Sequence, residues 1–295
     1  MTRPDVFTDF EHILESADLD SPWIGDPATY RPDFDLLTKL LRVPLASSAK
    51  SESGRFAKAI DTWLAHEFRR AGFAPDAVWP RATKPRVLST DIATLIDKIT
   101  PRKLGGDIAR KVADLPSVGP TDAKFLGRAY VKQVDVAIAS WATGPELLLS
   151  TKAMTSSFGK NLPNRFEEAY GDAANLRERH PLAAVGFLFL QRATILQDEP
   201  AAYERTVDMM RKLRDTGKGV GYTSTGLVLV DYDDNGTTVQ VREDQVPEDL
   251  RAGAFLGQLI DHMLDVTPIV HHVDARERRI GRALATDAEA DDLPS

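Results

Sequence analysis

The chain has 295 residues, of which 42% are hydrophobic and 27% are charged, and it contains no cysteine. This composition is typical of a folded globular protein, and the missing thiols exclude disulfide scaffolds, cysteine-ligated zinc or iron–sulfur sites and cysteine nucleophiles. The N-terminal residues lack an apolar signal-peptide core and no long apolar run follows, so we expect a cytoplasmic protein that does not enter the membrane.

The acidic residues are concentrated at the two ends of the chain. The formal net charge is −7 overall, but a count of Asp and Glu against Lys and Arg gives −7 for residues 1–36 and −4 for 283–295. The body between them therefore carries +4, and residues 81–133 alone carry +6. Because a basic surface attracts phosphates, the overall acidity does not exclude double-stranded DNA as a partner.

Helical patterns dominate the first part of the chain. Residues 1–53 contain short helical segments interrupted by prolines, which predicts a helical N-terminal extension that wraps around the rest. Those prolines are Pro22, Pro27, Pro32 and Pro44. Over 54–72 apolar residues recur at helical spacing, which indicates a long amphipathic helix that ends at Gly72. Residues 81–128 predict a basic insertion that is helical over 90–115.

The rest of the chain has the pattern of a sheet flanked by helices. Residues 129–140 alternate and are rich in Val and Ile, and 146–152 follow after a short turn, so both segments predict strands. The apolar run over 182–190 predicts a buried central strand. Further patterns predict helices over 164–179, 200–216 and 248–266 and a hairpin over 227–241 that turns at Asn235-Gly236. The predicted fold class is α/β, a small mixed sheet flanked by helices within a domain over 54–270, followed by a partly disordered tail over 271–295.

One pair of strand residues places opposite charges close together. Asp135 lies in the first of these strands, and Lys152 ends the second strand 17 positions later. Because side chains alternate along a strand, Ser150 shares the face of Lys152. At a sheet edge a carboxylate can hold Mg²⁺, while an ammonium stabilises an attacking hydroxide or the charge on a phosphate oxygen. Phosphodiester hydrolysis uses this combination.

The arrangement resembles the PD-(D/E)xK nuclease superfamily, in which a strand aspartate is followed, after a hairpin connection, by (D/E)xK on the next strand. Two positions depart from that pattern, because Val134 replaces the proline before Asp135 and Ser150 replaces the second acidic residue. A subset of type II restriction enzymes in this superfamily also carries SxK and takes the missing carboxylate from the following helix. The resemblance covers about residues 54–240 and implies a restriction-endonuclease-like core.

The resemblance leaves three candidates for the relocated carboxylate. Glu167 and Glu168 follow Lys152 by 15 and 16 positions on a predicted helix. The spacing favours Glu167, and the helical phase does not separate it from Glu168. Glu146 ranks last, because four residues along a strand place it roughly 13 Å from Ser150.

The superfamily often adds a glutamate from the first core helix. On the predicted helix over 54–72, Glu67 falls near the centre of the buried stripe, where an ionised carboxylate requires a partner or a metal, and Asp61 projects further round. DNA contacts are expected from basic and amide side chains around the following helix. These side chains are Lys160, Asn161, Asn164, Arg165 and Arg177.

Together these features predict a Mg²⁺-dependent endonuclease for double-stranded DNA, similar to type II restriction enzymes and acting in defence against foreign DNA. The expected metal ligands are Asp135, Glu167 and Glu67, with Lys152 orienting or helping to deprotonate the attacking water and Ser150 supporting the site. Because cleavage of both strands needs two active sites, we expect a homodimer or a higher homo-oligomer.

Two other interpretations remain open. The chain is alternatively a non-catalytic DNA-binding or scaffold subunit of a defence complex, or an unrelated α/β binding module in which Asp135 and Lys152 form a structural ion pair. Other cofactors have little support. The histidines do not have the spacing of a metal motif, and the glycines at 217–221 precede a strand, so neither a P-loop nor a Rossmann fingerprint predicts a nucleotide cofactor.

Overall fold

A computed structural model of the protein describes residues 5–46, 54–115, 117–233 and 236–285. The α-helices are α1 (Glu11–Leu14), α2 (Phe34–Ala46), α3 (Arg55–Arg70), α4 (Thr90–Lys98), α5 (Arg102–Ala113), α6 (Phe158–Arg177), α7 (Ile195–Asp198), α8 (Pro200–Lys212), α9 (Ala252–Val266) and α10 (Val273–Ile280). The strands are β1 (Trp23–Ile24), β2 (Thr29–Tyr30), β3 (Val78–Trp79), β4 (Ala123–Leu126), β5 (Val131–Val134), β6 (Val136–Ser140), β7 (Gly144–Met154), β8 (Ala184–Arg192), β9 (Ser224–Tyr232) and β10 (Val239–Val241). Short 3-10 helices lie at Val6–Phe10, Glu243–Gln245 and Glu248–Leu250.

Six of these strands form a mixed sheet in the order β10-β9-β8-β7-β6-β3. Strands β7, β8 and β9 are parallel, and β3, β6 and β10 are each antiparallel to their neighbours. The apolar run predicted as a central strand is β8, which lies between β7 and β9 and is buried from Ala184 to Gln191. A parallel strand that is covered on both faces needs apolar residues at successive positions. The prediction of a mixed sheet flanked by helices is confirmed.

Helices pack on both faces of the sheet. In β7, Leu147 and Leu149 lie in a core with side chains of α2, α3 and α9, whereas Leu148 lies in a second core with side chains of α6 and α8. This division follows from the alternation of side chains along a strand. The packing is close at Gly186 of β8, where a Cβ atom would come within 2.2 Å of Leu149 Cδ2. Strand β7 is therefore enclosed between α3 and α6.

The segments outside the main sheet include those predicted as the N-terminal extension, the basic insertion and the tail. Helix α2 of the predicted N-terminal extension buries Leu37 and Leu40 against the same core as α3, so this segment is part of the core. The basic segment over 81–128 contains α4, α5 and strand β4, which pairs with β5 in a separate two-stranded sheet. Helix α10 forms within the predicted tail.

Some predicted features lie outside the described residues. These are the end of the N-terminal extension at 47–53, the turn residue Asn235 and the tail from residue 286 onward. None of the helices within the described ranges combines the length and apolar character that a membrane span requires.

Candidate active site

Asp135 lies where the chain passes from the small sheet into the main sheet. The strand predicted over 129–140 is interrupted here, because Val134 pairs with Ala123 of β4 and Val136 pairs with Leu149 of β7. The Asp135 backbone N–H donates to Leu149 O over 2.8 Å. Its carboxylate Oδ2 accepts a hydrogen bond of 2.9 Å from the Thr151 backbone N–H. Asp135 is therefore fixed beside the Ser150-Thr151-Lys152 segment, as the sequence predicts.

A second carboxylate and a lysine from α3 meet Asp135. The Lys58 Nζ atom lies 3.0 Å from Asp61 Oδ2 and 3.9 Å from Asp135 Oδ1. The Thr151 hydroxyl donates to Asp61 Oδ1 over 2.6 Å. Thr151 thus binds one carboxylate through its backbone and the other through its side chain. Two carboxylates and one cation therefore converge at the edge between α3, β6 and β7.

The electrostatics of this cluster differ from those of groups in water. Loss of solvation, followed by the negative charge of Asp61, raises the pKa of Asp135 to about 7, against the lowering effects of Lys58 and the Thr151 N–H. Burial disfavours the charged form of Lys58, but the carboxylates of Asp61 and Asp135 outweigh it and hold the pKa of Lys58 above its ordinary value. The carboxyl group of Asp135 is therefore harder to ionise than a solvated aspartate, while Lys58 is held in its charged form.

Lys152 lies on the face of β7 opposite to Thr151, and it forms an ion pair with a residue of α6. Its Nζ atom is 3.1 Å from Glu168 Oε1, and Arg165 lies 3.3 Å from Glu168 Oε2. Lys132 of β5 lies 3.8 Å from the same carboxylate. Partial burial of Glu168 raises its pKa, but the hydrogen bond from Lys152 and the nearby cations outweigh this effect, so that the pKa is lowered. Glu168 is therefore an ionised acid beside Lys152.

Glu167 does not share this position. It lines a groove between α6 and α8 with Met209 and Lys212. Consecutive residues of an α-helix point about 100° apart, because 3.6 residues complete a turn. The spacing favours Glu167 and the helical phase does not separate it from Glu168, but the structure brings Glu168 to Lys152 and places Glu167 on a different side of α6.

The structure places Glu67 away from Asp135. Its carboxylate is fully buried and accepts hydrogen bonds of 2.8 Å from the Tyr30 hydroxyl, the Asp33 backbone N–H and the Arg70 guanidinium. Tyr30 and Asp33 belong to the N-terminal segment, and Arg70 belongs to α3. Burial raises the pKa of Glu67, and the charge of Arg70 and the hydrogen bonds oppose this shift. Asp61 is the acidic residue of α3 that reaches the strand pair.

Glu146 belongs to another cluster. It accepts a hydrogen bond of 2.5 Å from the Thr143 hydroxyl and pairs with His272, at the turn between β6 and β7. Burial acts to raise the pKa of Glu146, but the His272 and Thr143 hydrogen bonds outweigh it, so the pKa is lowered. These contacts fix α10 to the sheet and do not involve Ser150.

The other predicted site residues fall into two groups. Ser150 is buried on β7, opposite Phe187 of β8. Arg177 is also buried, and it donates to Ala183 O over 3.1 Å and pairs with Asp215 at 3.4 Å, which gives it a structural contact. The exposed group, on the first half of α6, comprises Lys160, Asn161, Asn164 and Arg165.

Sequence reasoning did not single out Lys58 or Thr151, and it ranked Asp61 below Glu67. A signal was present, since Lys58 and Asp61 are three residues apart on one helix and so lie on the same side. The donors around Asp135 are oxygen atoms, which suit a hard cation such as Mg²⁺. Within the described ranges, however, no set of three or more His, Asp or Glu side chains is arranged to hold a metal ion.

Comparisons with known proteins do not identify a relative. No family model, no curated protein and no solved structure matches the chain.

Proposed function

We propose that the protein is a Mg²⁺-dependent endonuclease that hydrolyses double-stranded DNA, similar to type II restriction enzymes with the SxK variant. One observation carries this proposal. The carboxylate of Asp135 is hydrogen-bonded to the Thr151 N–H, within the strand segment that presents Lys152. A strand aspartate beside a lysine-bearing strand is the arrangement that the resemblance requires.

The carboxylates around Asp135 provide a place for a cation. Asp135 and Asp61 already share the ammonium of Lys58, which fills the position where two oxygen donors converge. In the proposed enzyme these two carboxylates would hold Mg²⁺ in the position that the Lys58 ammonium occupies here. Glu168 replaces Glu167 as the functional acid of α6 in this proposal, because it is the glutamate beside Lys152. When bound, the metal neutralises the phosphate and lowers the pKa of a coordinated water.

The side chains have separate tasks in this proposal. Lys152 has a side chain that is 28% exposed, so it can donate to the attacking water or to a phosphate oxygen. Glu168 orients Lys152 through their ion pair. Thr151 fixes Asp135 and Asp61 at once, which preorganises the carboxylates before DNA binds.

The exposed first half of α6 offers the DNA contacts. Lys160 and Arg165 supply positive charge for phosphates, and Asn161 and Asn164 supply amide groups that suit base edges. Because both strands are to be cut, two copies of the chain act together on one duplex.

Cleavage of supercoiled plasmid tests the proposal. Wild-type protein should nick or linearise the plasmid in Mg²⁺ and not in EDTA, and Lys152→Ala should reduce the rate by about 10²–10³-fold. Lys212→Ala is the matched control, because this exposed lysine pairs with Asp208 on α8 and lies on a different helix from the site. Cleavage that survives Lys152→Ala unchanged would refute the catalytic assignment. Salt-sensitive DNA binding without cleavage would favour the scaffold interpretation.

A further inference from the structure

A groove with aromatic walls lies beside the candidate active site. It is formed by β3, β4 and the loops over 87–89 and 117–122, and its cavity volume is about 670 Å³. This volume falls within the range of roughly 300–1,000 Å³ that is typical of small-molecule sites. The rings of Trp79 and Phe125 stack in its wall, with centroids 6.1 Å apart and an angle of 23° between their planes. The Trp79 indole N–H donates to Leu88 O over 2.9 Å, which fixes the orientation of the ring.

The groove adjoins the site around Asp135. A narrow cleft of about 10 Å³ is lined by Lys58 and Asp135, and it shares Trp79, Thr121 and Asp122 with the groove. A space of this size admits at most a water molecule. A ligand in the groove would therefore stop at Asp122, next to the carboxylate cluster and without displacing it.

The lining of the groove suits a flat, partly polar ring. Trp79 and Phe125 offer π surfaces, on which bases stack without sequence preference. Asp122 offers a carboxylate at the inner end, an acceptor of the type that binds the exocyclic amino group of cytosine. Lys124 lies at the exposed side of the groove, where a cation can bind a backbone phosphate.

We propose that this groove binds one nucleobase that has turned out of the double helix, from the DNA held at the candidate active site. The inference rests on the proposed function, because it takes DNA as the substrate and adds where one base of that DNA lies. An extruded base in the groove would fix the register of the strand relative to Asp135. Extrusion costs least for a base without a pairing partner, so such a base is the best probe.

Binding in EDTA, where cleavage does not proceed, separates the inference from catalysis. The probes are two short fluorescein-labelled duplexes that differ only in one unpaired 2-aminopurine, and the readouts are fluorescence anisotropy and the change in 2-aminopurine fluorescence on binding. We expect wild-type protein to bind the duplex with the unpaired base about tenfold more tightly and to change its fluorescence, because the base leaves its neighbours in the duplex for the aromatic groove. Phe125→Ala should abolish both effects, and Phe125→Tyr should retain them.

Leu126→Ala is the matched control, because Leu126 is the next residue of β4, is 48% exposed and is not among the residues that line the groove. This variant should keep the preference. Equal affinity of wild-type protein for the two duplexes, or a preference that Phe125→Ala leaves intact, would overturn the groove assignment and leave the proposed nuclease standing. Absence of binding to either duplex would overturn the proposed function and the groove together.

Discussion

The ion cluster around Lys58 leads to a quantitative prediction for the variant Lys58→Met. Methionine keeps an unbranched side chain of similar length but removes the ammonium that pairs with Asp61 at 3.0 Å and with Asp135 at 3.9 Å. The Asp61 side chain is 0% exposed, so its charge cannot be solvated in compensation. Removing one partner of a buried ion pair costs about 3–5 kcal/mol. Lys58 also lies 5.1 Å from the centroid of the Phe7 ring, a cation–π contact worth about 0.5–1 kcal/mol.

We therefore expect Lys58→Met to lower the free energy of unfolding by about 3 kcal/mol or more at pH 8. The difference in the free energy of unfolding between the variant and wild type should shrink as the pH falls toward 7. Below about pH 7 it should stay constant, because Asp135 is then protonated in both folded proteins. Loss of the ammonium raises the pKa of Asp135 further, so the folded variant takes up a proton at higher pH than the wild type and is relieved of one negative charge.

Urea unfolding followed by circular dichroism at several pH values measures this difference. Lys212→Met is the control for loss of a lysine, because its ion pair with Asp208 is exposed on both sides, and such pairs contribute about 0–1 kcal/mol. Equal stability of Lys58→Met and wild type at pH 8 would refute the buried-cluster reasoning. A large difference that does not change with pH would refute the role of Asp135 protonation.

Two further variants test the assignment of buried polar groups. Glu67→Ala should lower the free energy of unfolding by about 3 kcal/mol, because it leaves the Arg70 guanidinium buried without its carboxylate partner. An unfolding midpoint in urea equal to that of wild type would show that the Glu67 contacts do not stabilise the fold. Burial lowers the pKa of His66 to about 4, against the hydrogen bond from this ring to Asp18 O. The unfolded chain takes up a proton below about pH 6.5 and the folded chain only below about pH 4, so wild type should lose about 2 kcal/mol of stability between pH 6.5 and pH 5. His66→Gln should lack this part of the pH dependence, and an unchanged slope in that variant would assign the acid sensitivity to other groups.

The strand pair at the centre of the site could be predicted from the sequence because its signals are local. Val and Ile alternation marks β6, the Leu-rich segment marks β7, and a short turn requires the two to pair. Asp135 and Lys152 therefore fall on neighbouring strands before any tertiary contact is known. The central position of β8 could be predicted as well, because its continuous apolar run requires cover on both faces.

The acidic partners could not be predicted in the same way, because they depend on helix orientation. Thirteen residues of α3 are buried, including Asp61 and Glu67, so the helix has no single buried stripe from which one acidic residue can be chosen. Glu167 and Glu168 are both exposed on α6, and only the packing of α6 against β7 decides which of them meets Lys152. The interruption of the predicted strand at Asp135 also depends on tertiary contacts. The alternation of residues continues through this position, and only the pairing of β4 with β5 reveals the interruption.

The most direct test of the proposed active site compares Glu168→Gln with Glu167→Gln in Mg²⁺-dependent plasmid cleavage. The two variants make the same chemical change at neighbouring residues of α6, so differences in net charge and helix propensity cancel. We expect Glu168→Gln to lose about 10²-fold or more in cleavage rate and Glu167→Gln to cleave like wild type. Loss of cleavage in Glu167→Gln with full activity in Glu168→Gln, or wild-type rates in both variants, would contradict the proposed active site.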